Sequence, residues 1–96
     1  METGIKSRVM DEIKSLAQKH ELNKVILFGS RARGDFSRAS DIDLAVSGGD
    51  FIRFALDVDE KTWTLLEYDV VNLDRGVSNA LLNSIEKEGI VLYEKI

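Results

Sequence analysis

The stretch that most constrains the fold is Lys24-Val-Ile-Leu-Phe28 stopped by Gly29, followed by Asp41-Ile-Asp-Leu-Ala-Val46. The first is a short β-branched and aromatic run of the kind that forms a buried strand and ends at a turn. In the second, acidic and apolar residues alternate, which predicts another strand with Ile42, Leu44 and Val46 turned to the core and Asp41 and Asp43 to the other face. Around these runs the spacing turns helical. Ile5, Val9, Ile13, Leu16 and Ala17 form one amphipathic stripe, Phe51, Phe54, Ala55 and Val58 a second, and Val77, Ala80, Leu81, Ser84 and Ile85 a third. Ser47-Gly-Gly-Asp50 is a turn with Asp50 as N-cap of the second long helix, Leu65 to Leu73 holds a third strand, and Ile90 to Tyr93 an edge strand. Gly89 is expected as a left-handed C-cap. Helices and strands thus alternate, which predicts an α/β (α+β) fold, a small mixed β-sheet flanked by helices. At 96 residues and 44% hydrophobic content, residues 1–96 are expected to form a single domain.

Composition removes several chemistries. There is no cysteine and one histidine, so neither a thiolate nor a histidine cluster is available and a bound metal has to be held by oxygen. His20 falls at the end of the first helical stripe, where a cation suits the helix dipole, and is read as structural. A net charge of −4 argues against a broad nucleic-acid-binding surface, though not against a local basic patch. No run reaches the roughly 20 apolar residues that span a bilayer, and the first residues lack the apolar core of a signal peptide, so no membrane association and a cytoplasmic location are expected.

Asp41 and Asp43, paired by strand alternation, are either two solvated acids or the oxygen ligands of a hard divalent cation such as Mg²⁺ or Mn²⁺. Two carboxylates about 4 Å apart repel by roughly 4 kcal/mol at an effective dielectric of 20, and a cation offsets that cost. Just upstream, the amides at Gly29 and the Ser30 hydroxyl can approach a phosphate closely. Arg31, Arg33 and Arg38 are candidate counter-charges or, alternatively, members of surface or structural ion pairs. A P-loop is excluded: Gly29 and Gly34 have its spacing, but Asp35 and Phe36 stand where Lys and Ser or Thr are needed. Ile52, Leu56 and Trp63 lie off the stripe of the second long helix, either because core wraps that helix on more than one side or because they meet a partner.

The whole segment GSRARGDFSRASDIDL resembles the signature of the polymerase-beta-like nucleotidyltransferase superfamily, in its minimal nucleotidyltransferase (MNT) branch: GSxARG, a short spacer, then SDxDL. Gly29, Ser30, Ala32, Arg33, Gly34, Ser40, Asp41, Asp43 and Leu44 match. The superfamily pattern asks for a third acid on a later strand, which is matched to Asp69, with Glu67 and Asp74 as rivals. The resemblance implies transfer of a nucleoside monophosphate, AMP from ATP, to a hydroxyl. Asp41, Asp43 and Asp69 would be the catalytic and metal-binding residues, holding two Mg²⁺ ions, and Gly29, Ser30, Arg33 and Ser40 would bind nucleotide. It further implies an antitoxin of a toxin-antitoxin pair that AMPylates a tyrosine of a small helical HEPN partner. A non-enzymatic binding module and a transferase acting on a small molecule such as an aminoglycoside are the alternatives, and a homo-oligomer stays open.

Overall fold

The computed structural model describes residues 2–96. Its elements follow one another as α1 (Ser7–Lys19), β1 (Lys24–Phe28), α2 (Ser30–Arg33), β2 (Ile42–Ser47), α3 (Phe51–Lys61), β3 (Tyr68–Asn72), α4 (Asn79–Glu88) and β4 (Ile90–Glu94). The four strands make one mixed sheet in the order β3-β2-β1-β4: β1 is antiparallel to both β2 and β4, whereas β2 and β3 run parallel. The expected α+β class with helices flanking a small mixed sheet is the fold observed.

Alternation along the strands sends side chains to two different layers. Val25, Leu27, Ile42, Leu44 and Val46 pack with Val9, Ile13, Leu16 and Ala17 of α1 and with Phe54 and Val58 of α3 in the main core. The opposite face is covered by a smaller cluster in which Phe28 and Ala45 meet Ile85, with Ile26, Val71 and Leu81 around them. Burying a side chain such as Phe54 or Leu44 contributes about 1.5–3 kcal/mol, so the α1/α3 face dominates the stability. From α4, Leu81 and Ile85 pack on this face, and at the end of the sheet where β1 stops and β2 and β3 begin Asp43 stays half-buried and Asp41 and Asp69 exposed.

Several local expectations needed correcting. The third strand is shorter than Leu65 to Leu73, since Leu65 is fully exposed and pairing with β2 begins at Tyr68. Within α4, Ala80 and Ser84 face solvent and Leu81 and Ile85 alone of the predicted stripe bind the sheet from this helix. Gly89 is not left-handed but extended, at φ −67° and ψ 144°. Its glycine is required by space: a Cβ there would lie 2.4 Å from the Ile85 carbonyl oxygen and 2.5 Å from Ile26 Cγ2. Asp50 does cap α3, accepting from the Arg53 amide at 3.1 Å.

His20 follows α1 as its C-cap, and its Nε2 sits 2.7 Å from Oδ2 of Asp57 on α3, tying the two helices together. That hydrogen bond, with Lys61 and Lys19 also nearby, holds the Asp57 carboxyl below the usual carboxylate range. A depressed carboxyl pKa contributes stability that is present above the unfolded value and lost as pH falls through the folded one. Acid titration below about pH 4 should therefore destabilise the wild type more steeply than Asp57→Asn, read from denaturant midpoints at each pH. Equal acid slopes in the two proteins would mean that this pair carries no linkage.

Candidate active site

Three strands and one tight turn converge at the end of the sheet where β1 stops and β2 and β3 begin. β1 ends at Phe28, which pairs with Asp43 of the antiparallel β2, and Asp43 pairs in turn with Asp69 of the parallel β3. Side chains of directly paired residues point to the same face. Asp43 and Asp69 are therefore neighbours on the α4 side of the sheet, and alternation sets Asp41, one residue ahead of β2, towards that side too. Asp41 and Asp69 are exposed while Asp43 is half-buried. Burial, then the charges of Asp69 and Asp41, push the Asp43 carboxyl up, and the Arg33 cation only partly opposes them.

The rivals for the third acid lie elsewhere. Glu67 lines a groove between α3 and β3, and the Asp74 carboxylate accepts from the Gly48 amide at 2.7 Å, at the far end of the strands.

Gly29 joins β1 to α2 in a conformation that only glycine adopts readily, φ 75° and ψ −158°. A Cβ on this residue would lie 2.2 Å from Oδ2 of Asp43, so the absent side chain is what lets the turn and the carboxylate share the space. The Gly29 carbonyl accepts from the amides of Ala32 and Arg33, and the Ser30 carbonyl from Gly34 and Asp35. The Ser30 and Arg31 amides precede this ladder, as the first amides of a helix do. Gly34 closes α2 in the left-handed region, at φ 93°.

The three arginines sit in three different environments. Arg31 is 1% exposed and is structural: its Nε donates to the Ser40 carbonyl at 3.0 Å, Nη1 to the Thr3 carbonyl at 3.0 Å and Nη2 to the Arg38 carbonyl at 3.4 Å, with the Phe36 ring 4.9 Å from the guanidinium carbon. The guanidinium fork gathers carbonyls that would otherwise lack partners and so sets the path of the loop leading to Asp41. Arg33 is exposed, paired with Glu88 of α4 at 3.0 Å and with Asp35 at 3.2 Å, and these contacts raise its pKa. Arg38 makes no side-chain ion pair among the described residues. The Ser40 hydroxyl accepts from the Ser37 amide at 2.9 Å and stabilises the loop before Asp41. No sequence signal separated the buried Arg31 from its two exposed neighbours.

The donor set is all oxygen, its central carboxylate is disfavoured by two like charges, and one arginine is the cation facing it; this chemistry fits a hard divalent ion. Among the described residues no group of three or more His, Asp or Glu side chains is arranged so that it could hold a metal ion by itself. A cation at this site would need further oxygen donors.

Residues 11–96 match the model of the family described as polymerase beta, nucleotidyltransferase. The chain belongs to that family. It is 34% identical to MJ0604 of Methanocaldococcus jannaschii, a protein named provisionally as a protein adenylyltransferase, over 88% of this chain and 94% of the relative. Among solved structures it is similar to a toxin-antitoxin crystallised with AMP-PNP, with a TM-score of 0.73 and 26% identity over 90% of this chain and 73% of that one. It also shares its fold with a mutant of the toxin-antitoxin MntA-HpeT, with a TM-score of 0.69 and 24% identity over 90% and 73% of the two chains. The protein is a nucleotidyltransferase of the minimal kind, as the GSxARG and SDxDL segments imply.

Proposed function

We propose that residues 1–96 act as one minimal nucleotidyltransferase domain that moves AMP from ATP to a hydroxyl of a partner protein. The observation that carries this reading is the side-by-side placement of Asp43 and Asp69 on parallel strands with the Gly29 turn pressed against Asp43. Gly29 and the amide and hydroxyl of Ser30 receive the β and γ phosphates, and Arg33, freed from Glu88 and Asp35, and Ser40 assist in holding the nucleotide. Asp41 and Asp43 would hold two Mg²⁺ ions, with Asp69 completing the second site. Magnesium, when bound, screens the triphosphate and makes the acceptor hydroxyl more acidic. Asp69 accepts the proton from that hydroxyl as its oxygen bonds to the α-phosphorus, the bond from the α-phosphorus to the bridging oxygen breaks, and pyrophosphate leaves with the electron pair. The catalytic contribution of this chain is positioning and fixed charge.

The acceptor is read as a tyrosine of a small helical HEPN-type toxin, with this protein as its antitoxin in the cytoplasm. The support is the likeness to a toxin-antitoxin holding an ATP analogue and to a relative named for protein adenylylation. Ile52 and Leu56 are 69% and 54% exposed on α3, which overturns the reading of that helix as wrapped by core and leaves an apolar face for such a partner.

Co-expression with the partner from the native source, followed by intact mass of the partner, tests the proposal. One or more adenylate increments that require both Mg²⁺ and ATP are expected. A partner that is bound and neutralised without any mass increment, by a protein that fails to bind Mg²⁺ and ATP, would make this a non-enzymatic binding module instead.

A further inference from the structure

By sequence Trp63 groups with Ile52 and Leu56, but the structure places it in a different cleft. Ile52 and Leu56 border the groove against β3, whose charged lining residues are the acids Asp59 and Glu67. Trp63, 66% exposed, and Leu65, fully exposed, line a second cleft of about 1030 Å³, between the segment ahead of α1, the turn leading into β2 and the loop after α3. Among the described residues its charged lining residues are Lys6 and Arg38; two acids touch the lining from outside, Glu12 accepting from the Trp63 amide at 2.8 Å and Glu2 from the Gly4 amide at 2.9 Å. Neither Lys6 nor Arg38 makes a side-chain ion pair among the described residues. Arg8 stacks over the Trp63 ring at 4.6 Å from its centroid but is itself paired with Glu12 at 3.8 Å.

In a chain of net charge −4, a cleft with two uncommitted cations beside an exposed indole and leucine is a local inversion of charge. Its floor includes Ile42, the residue between Asp41 and Asp43, so the cleft opens beside the carboxylate end of β2 although its lining is on the opposite face. A chain lying in it is carried past the turn that holds Asp41. The volume is at the upper end of ordinary binding pockets and suits several side chains of an extended segment.

We propose that this cleft is the docking groove for an acidic polypeptide segment with aromatic or apolar side chains. Resting on the reading under Proposed function, that segment is the part of the partner that brings the acceptor hydroxyl to the site. Acidic side chains pair with Lys6 and Arg38, and a ring or aliphatic group covers Trp63 and Leu65.

Trp63 is the single tryptophan of the chain, so its emission reports on this cleft directly. Titration of the full chain, without nucleotide, with a random copolymer of glutamate and tyrosine should shift and saturate that emission. A copolymer of lysine and tyrosine should not. The variant carrying Lys6→Glu and Arg38→Glu should need at least about tenfold more of the acidic copolymer, because it sets like charges against the ligand. Both side chains are exposed, so the fold should survive, and the double variant Lys87→Glu with Lys95→Glu, two exposed lysines outside the cleft, serves as the charge-matched control with unchanged binding. Equal response to both copolymers, or a double variant that binds like the wild type, would overturn the proposal. So would equally tight binding of a single-stranded oligonucleotide, which would make the cleft a general polyanion site. In the presence of Mg²⁺ and ATP, adenylation of the acidic copolymer should show a raised KM and an unchanged kcat in the double variant. Charge-dependent docking with no adenylation of copolymer or native partner would sink the function proposed above and leave the groove standing.

Discussion

Asp43→Asn should raise the stability of the free protein while lowering nucleotide transfer by at least about a thousandfold, a loss of roughly 4 kcal/mol in transition-state stabilisation. The Asp43 carboxyl is pushed up by burial and by the charges of Asp69 and Asp41, so its ionised form is held at a cost in the folded state. A raised carboxyl pKa means that the native protein binds the proton more tightly than the unfolded chain does. Stability then falls as pH rises from the ordinary carboxylate value through the raised one. The amide removes that loss. Because Asp43 is only half-buried and water screens part of the repulsion, the gain at neutral pH is modest and is read as a higher Tm of the ligand-free variant. In the wild type Mg²⁺ and ATP together should raise Tm well beyond the sum of their separate effects, and in Asp43→Asn that cooperative part should vanish. A variant that melts lower than the wild type without ligand would show that Asp43 is a structural acid. One that keeps transfer activity would remove it from the catalytic set.

Gly29→Val should be the most damaging single change at the turn, acting on stability and on nucleotide binding together. Its Cβ would overlap Oδ2 of Asp43, at 2.2 Å, and the branched side chain would have to hold φ 75° and ψ −158°, a region nearly closed to any residue but glycine. Strain of about 1–3 kcal/mol for the backbone, with about as much again for displacing the carboxylate, predicts a loss of roughly 2–6 kcal/mol, read from denaturant midpoints. The stabilisation that Mg²⁺ and ATP confer together should disappear as well. Gly34→Ala is the informative contrast: its Cβ would meet nothing within 4 Å, so only the cost of φ 93° remains and ligand-dependent stabilisation should persist. If Gly29→Val binds Mg²⁺ and ATP as the wild type does, the turn does not cradle the phosphates.

Most of the elements were legible in the chain because their signals are local. Alternation in Asp41 to Val46 placed the two acids on one face and Ile42, Leu44 and Val46 in the core, and the α1 stripe of Val9, Ile13, Leu16 and Ala17 is buried as its spacing requires. Motif spacing carried the family, since GSxARG followed by SDxDL encodes a turn and a strand that lie next to each other in sequence. Three further features needed the tertiary structure. The pairing of Asp43 with Asp69 depends on which strands become neighbours and in what register, a relation between residues 26 positions apart that no local period records. Arg31 is buried and Arg33 and Arg38 are not, because only the folded loop brings the Thr3, Arg38 and Ser40 carbonyls around one guanidinium. Trp63 and Leu56 read alike as apolar residues off a helical stripe, yet the chain turns between them after α3, and that turn alone assigns one to a basic cleft and the other to an acidic groove. Local chemistry is written in nearest-neighbour spacing, whereas burial and electrostatic environment are sums over everything the fold brings close.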